Sequence, residues 1–263
     1  MPAQAVELLS ARSHSLIKAL RKLSQDSTAY RRLGRCWVEG EHLAQAALQR
    51  GFRFALGVYA QSHWPQAEPM AARLAERSVV VPDALFATLS GLASPAQVGF
   101  VLDVPQPGPL QAHAPTVVLD RLQDAGNVGS ILRSAAAFGF GQVLALKGTA
   151  ALWSPKVLRA GMGSHFALTL LDGVDADVLD TLALPLLVTS SHAGVDLHTA
   201  LQQRSLPNPC AWVFGHEGQG VSPTLAARAS TSVRIAQPGG EESLNVAAAA
   251  AICLHASASV ARG

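Results

Sequence analysis

A chain of 263 residues, 49% hydrophobic and 14% charged, can bury one large core or two modest ones and is too poor in charge to stay unfolded. Its longest apolar run, Val246 to Leu254, is about half the ~20 residues that a membrane-crossing helix needs, and Met1 to Ser10 lacks the basic start and apolar middle of a secretory leader. The net charge of +2 hides an asymmetry: residues 1–35 hold seven cations (Arg12, Lys18, Arg21, Lys22, Arg31, Arg32, Arg35) against Glu7 and Asp26, a net +5 that leaves −3 for the rest.

That basic stretch fits a phosphate backbone or simply a solvated helix. Cys36, Cys210 and Cys253 are odd in number and lack metal-ligand spacing, so packed, reduced thiols in a cytoplasmic protein are expected. Helical spacing covers Leu16–Leu23, His42–Gln49, Ala67–Glu76 and Asp83–Leu89. Short apolar runs at Cys36–Val38, Ala55–Tyr59, Ser78–Val81 and Val98–Leu102 predict strands. Together they make a small α/β domain over 1–104. Residues 105–115 contain four prolines and a glycine and predict a linker, because proline fixes φ and removes a backbone donor.

Beyond the linker, 116–263 alternates more regularly. Strands are predicted at Thr116–Leu119, Gln142–Leu146, Phe166–Leu170, Pro185–Thr189, Ala211–Phe214 and Thr231–Ile235. Helices are predicted at Gly129–Phe138, stopped by Gly139, at Pro155–Met162 and at Leu244–Ser259. Continuous apolar strands separated by helices argue for a parallel sheet covered on both faces. The Ala-rich last helix can pack closely against the sheet or a second subunit.

Three segments carry candidate chemistry. Leu119 to Gly139 reads strand, polar loop, helix, with Asn127 at the expected N-cap and Arg133 within reach of the loop mouth; an ordinary turn with a surface arginine reads the same way. In Val213 to Ser222 a strand runs into Gly215-His-Glu-Gly-Gln-Gly220, so a flat ligand could lie on bare backbone and Glu217 could accept hydrogen bonds. This is not a dinucleotide fingerprint, which needs Gly-x-Gly-x-x-Gly early in the fold. In Ile235 to Val246 a Pro-Gly-Gly loop leads to Ser243 and Asn245 at an expected helix start, where plain capping would suffice.

In this order and spacing the three segments resemble the signature motifs of the SpoU family of RNA 2′-O-ribose methyltransferases, within the SPOUT superfamily, over residues 116–257. Residues 30–102, through Val38-Glu-Gly-Glu-His-Leu-Ala44, resemble the family's smaller L30e-like substrate-binding domain. The resemblance implies an α/β catalytic domain with a deep trefoil knot, S-adenosylmethionine as methyl donor, and a homodimer with its site near the interface. It implies functional polar groups at Asn127, Arg133, Glu217, Ser243 and Asn245. It also implies cofactor contacts at Gly215, Ile235 and Leu244, with Thr189 a weaker candidate. Ala125 stands where members often have proline, and His216 where many have asparagine; the latter is expected to be structural or cofactor-adjacent.

Methyl transfer from a sulfonium already has a good leaving group, so it calls for no metal. A structured RNA is the expected partner, ribosomal RNA ahead of transfer RNA, because a separate basic domain suits shape and backbone recognition. The rival reading is a non-catalytic RNA-binding protein that keeps the fold; survival of every polar motif residue speaks against it. An oxidoreductase is more distant, for want of an early Gly-rich turn.

Overall fold

The computed structural model describes residues 6–91, 94–190, 193–240 and 243–260. Glu241 and Glu242 of the Pro-Gly-Gly loop, and the first five residues, lie outside these. Two sheets with different strand-pairing rules divide the chain into two units.

The first unit comprises the residues up to Gln106 together with Trp153–Phe166. Its N-terminal part runs β1 (Val6–Leu8), α1 (Ser15–Gln25), α2 (Ala29–Leu33), β2 (Arg35–Glu39), α3 (Glu41–Gln49), β3 (Leu56–Ala60), α4 (Trp64–Leu74), β4 (Ser78–Val81), α5 (Asp83–Phe86) and β5 (Val98–Asp103). The sheet order is β1-β4-β3-β5-β2. β1, β4 and β3 are parallel, and β5 runs antiparallel to β3 and β2. Helix α1 shows why such segments fold as they do. Ile17, Leu20 and Leu23 recur at helical spacing and enter a core with Trp37, Val58, Val79 and Phe86, while Lys18 and Lys22 stay exposed.

The second unit comprises Pro107–Leu152 and the residues from Ala167 onward. Its elements are β6 (Thr116–Asp120), α6 (Ala125–Ala137), β7 (Gln142–Leu146), β8 (Thr169–Val174), β9 (Leu186–Thr189), β10 (Val195–Asp196), α8 (Leu197–Gln202), β11 (Ala211–Gly215), α9 (Pro223–Arg228), β12 (Thr231–Arg234) and α10 (Val246–Val260). The helix α7 (Pro155–Gly161) falls between β7 and β8 in sequence but packs in the first unit, on β2. The sequence reading had placed it with 116–263. No sequence pattern separates a helix that covers its own sheet from one that covers another.

The second sheet has the order β10-β12-β9-β11-β6-β7-β8, and every neighbouring pair is parallel. All carboxyl ends therefore lie along one edge, which is where open α/β sheets present their ligand sites. The register brings Gly215 level with Asp120, Val213 with Val188, and Val233 with Thr189. One face buries Val118, Leu144, Val188 and Val213 with Leu179 and Leu225. On α10, Ser257 accepts a hydrogen bond from the buried Trp212 indole at 2.9 Å, fastening the last helix to β11.

Several boundaries differ from expectation for local reasons. Helix α6 begins at Ala125, not Gly129, because the Asp124 carboxylate accepts from the Asn127 amide and starts it a turn earlier. Asn127 is thus not the N-cap. Helix α10 begins at Val246, and Asn245, not Ser243, caps it by accepting from the amides of Ala247 and Ala248 at 2.9 and 3.2 Å. The strand expected at Phe166–Leu170 starts at Thr169, after a 3₁₀ turn at Ser164–Ala167. The Pro-rich run is tied down: the Gln111 amide donates to Gln142 at 2.9 Å, and Leu110 packs on the core.

Removing the indole's acceptor with Ser257→Ala leaves a buried donor unpaired. It is expected to lower unfolding stability by about 1–3 kcal/mol, read as a lower urea midpoint at unchanged slope.

Candidate active site

The site is built where β6, β9, β11 and β12 end. Asp120, the last residue of β6, is 3% exposed. One of its oxygens accepts from the Ser222 amide at 2.6 Å and the other from Arg121 Nε at 3.0 Å. Arg121 adopts φ +60°, unusual for a residue with a Cβ, and its amide is caught by Thr149 Oγ1 at 3.1 Å. Its Nη1 continues to Gln219 Oε1 at 3.1 Å. A buried carboxylate thus ties the β6 turn to the loop that follows β11.

A second set of bonds joins all three sequence segments. Glu217 Oε1 accepts from the Asp124 amide at 3.0 Å and from Asn127 Nδ2 at 3.2 Å, and Oε2 accepts from the Gln123 amide at 3.1 Å. Asn127 Oδ1 accepts from Asn245 Nδ2 at 3.0 Å, and Asn245 Oδ1 caps α10. Partial burial works against the charged form of Glu217. The amides of Asp124 and Gln123, with the Asn127 side chain, outweigh it and hold the carboxyl below its ordinary 4.5. These bonds also fix the amide orientations of Asn127 and Asn245, since each must donate at Nδ2 and accept at Oδ1.

Arg133 lies two turns into α6, is exposed, and has no hydrogen-bond or ion-pair partner among the described residues. Helical side chains lean toward the N-terminus. With Gly126, Gly129 and Ser130 on the rows before it, Arg133 can reach over the start of α6, where Asn127 sits.

Beside this network a cavity of about 510 Å³ opens between the ends of β9, β11 and β12 and the start of α10, within the range of small-molecule sites. Gly215, Ile235, Leu244 and Thr189 all line it, as do Ser243, His216 and Glu217. A Cβ on Gly215 would overlap the backbone of Gly220 and Val221, so only glycine lets the loop fold back on its own strand. Gln237, also in the wall, buries its Oε1 without a partner among the described residues. Bare backbone, apolar side chains and an unmatched acceptor are what a nucleoside-bearing cofactor would meet. Among the described residues no grouping of His, Cys, Asp and Glu is placed to hold a metal ion.

Residues 114–255, more than half of the chain, match the SpoU rRNA methylase family. The chain belongs to that family. A relative described as an uncharacterised tRNA/rRNA methyltransferase of Synechocystis is 32% identical, covering 94% of this chain and 92% of its own. The 23S rRNA (guanosine(2553)-2′-O)-methyltransferase RlmP of Bacillus subtilis is 28% identical over 83% of this chain and 86% of its own. The crystal structure of an AdoMet-bound rRNA methyltransferase from Sinorhizobium meliloti superposes with a TM-score of 0.80 at 25% identity, covering 96% of this chain and 97% of that one.

Within this SpoU domain, His216 acquires a definite part. Its Nδ1 accepts from the amides of Gly218 and Gln219 at 3.0 and 3.3 Å, closing the glycine loop on itself. An asparagine Oδ1 lies the same number of bonds from the backbone, so the imidazole makes a turn that asparagine also makes. Sequence reading missed Asp120, Arg121, Gln123, Asp124 and Gln237. Asp124 was detectable only as a capping residue type standing immediately before the small residues Ala125 and Gly126. Asp120 and Gln237 matter only through partners, or the lack of them, far along the chain.

Two outcomes are expected. His216→Asn should keep the Gly218 and Gln219 amides slow to exchange with solvent, whereas His216→Ala should speed their exchange by about tenfold, measured by hydrogen–deuterium exchange. Because the folded Glu217 carboxyl lies below 4.5, its contribution to stability is present above that pH and lost as pH falls through the folded value. Acidification should therefore destabilise the wild type more than Glu217→Gln, compared by thermal unfolding at pH 7 and pH 3.

Proposed function

We propose that this protein moves a methyl group from S-adenosylmethionine to a ribose 2′-hydroxyl of RNA. The observation that carries the reading is the relay Asn245–Asn127–Glu217, which joins polar groups from three loops beside a cavity that Glu217 and Ser243 line. Membership of the SpoU family and the activities of its relatives support it. Gly215, Ile235, Leu244 and Thr189 hold the cofactor, largely through main chain.

The bound cofactor supplies a methyl carbon on a positively charged sulfur; the 2′-oxygen–carbon bond forms as the sulfur–carbon bond breaks. A guanidinium is a poor base, so Arg133 is not given the removal of the proton. Its fork holds the phosphate beside the target ribose and stabilises negative charge on the 2′-oxygen. The proton leaves to a phosphate oxygen or water. Asn127, held by Glu217 and Asn245, positions the ribose, and Ser243 orients the groups at the cavity rim. Alignment of the 2′-oxygen with the methyl carbon is the main service of the site.

The basic, exposed face of α1, with Lys18 and Lys22, contributes to RNA binding, and ribosomal RNA is the target ahead of transfer RNA. The segment from β9 to α10 is threaded as a deep trefoil knot. In support, β9 lies between β11 and β12 in the sheet, and a Cβ on Gly194 would overlap the Ser232 backbone. A second copy covers the apolar groove between α8 and α10, where Leu197, Leu201 and Ala251 line the walls and Ile252 is 42% exposed. Three free, buried cysteines suit a reducing cytoplasm.

Incubation of total RNA with labelled cofactor, followed by mapping of 2′-O-methyl positions, tests the reaction. Arg133→Lys keeps the charge and loses the fork. It is expected to lower turnover by about 10²-fold while cofactor affinity stays within about twofold, measured by single-turnover kinetics and calorimetry. Near-normal turnover in this variant would remove the bidentate phosphate clamp from the mechanism.

A further inference from the structure

Gln237 follows β12 by three residues and lines the cavity with Ile235, Leu244 and Val246. Its side-chain oxygen is buried and meets no donor among the described residues, although its own backbone carbonyl accepts from Gly240 at 3.2 Å. A buried amide acceptor without a donor costs free energy, and folded proteins rarely keep one unless something else supplies the hydrogen. Among the described residues of this loop nothing needs the oxygen there, since the turn from Gln237 to Gly240 is closed by backbone. A methylene chain ending in an apolar group would fill the same wall.

We infer that Gln237 is a cofactor-recognition residue whose Oε1 accepts a hydrogen bond from the exocyclic amine of the cofactor's purine. Three features lead to the purine amine. Ile235, Leu244 and Val246, which line the cavity with Gln237, are apolar and suit the faces of a flat ring, not an amino-acid head group. A 6-aminopurine linked to ribose has one N–H donor group, the exocyclic amine. The charged and polar groups that would meet an ammonium or carboxylate, Glu217 and the network around it, belong to a different strand end, that of β11. Gln237 thereby makes the site prefer a 6-aminopurine over purines without that donor. This rests on the cavity being the S-adenosylmethionine site.

The test uses the full chain and calorimetric titration with two probes: S-adenosylhomocysteine, and its analogue carrying hydrogen in place of the 6-amino group. Wild type is expected to bind the first about tenfold more tightly, the worth of one well-made hydrogen bond. Gln237→Met, similar in shape and unable to accept strongly, should bind both probes equally, at the affinity wild type has for the analogue. Gln237→Glu, which accepts but cannot donate, should keep the preference and so also fixes which end of the amide faces the ligand. Undiminished discrimination by Gln237→Met overturns the inference, and so does an equal loss for both probes. Wild type that binds neither probe overturns the cofactor reading of the cavity, and this inference with it.

Discussion

A parallel sheet leaves its loops separate. Each strand end is a free turn, and nothing in the sheet itself makes the turns after β6, β11 and β12 meet. Here a run of side-chain amides and one carboxylate joins them. Asn245 holds the start of α10 and donates to Asn127 on α6; Asn127 donates to Glu217 beyond β11; Glu217 in turn accepts the two amides that open α6. Asn127 and Asn245 each donate at Nδ2 and accept at Oδ1, so the bonds tie the three turns to one another. The cavity wall, the cap of α6 and the exposed guanidinium of Arg133 all inherit their positions from it.

The division of labour between buried and exposed charge follows from the same geometry. Asp120 is almost wholly buried, with both oxygens engaged, and acts as a rivet between β6 and the Gly215–Gly220 loop. Glu217 is at the surface but accepts enough hydrogen bonds to favour its ionised form. Arg133, by contrast, has no partner among the described residues, which leaves its donors available to a substrate. A basic group committed to an ion pair could not bind a phosphate without first breaking that pair.

The glycine loop shows a second economy of means. Gly215 is required because the chain folds back on it within five residues, and Gly220 turns at φ +68°. Between them, His216 Nδ1 supplies the acceptor that two consecutive amides need. The Glu217 carboxylate one residue later is therefore aimed by a closed turn and not by a flexible run of glycines. The unmatched oxygen of Gln237 stands out against this background, because nearly every other buried polar group around the site has its partner.

The periodicities of 2 and 3.6 residues located most strands and helices, and the apolar runs of β6, β7, β9, β11 and β12 marked a parallel sheet before any coordinates. The three loops were legible as polar and glycine-rich strand ends, and their order pointed to the SpoU family. Sequence alone could not assign the cap of α6 to Asp124 over Asn127, since both residue types cap well and the choice turns on where the Glu217 carboxylate lies, ninety residues on. Nor could it place α7, whose apolar face fits any sheet, or single out Asp120 and Gln237. Local pattern records which side chains want burial or a hydrogen bond; which partner they find, or whether they find one, is set by the crossing of strands remote in sequence, and that only the tertiary structure decides.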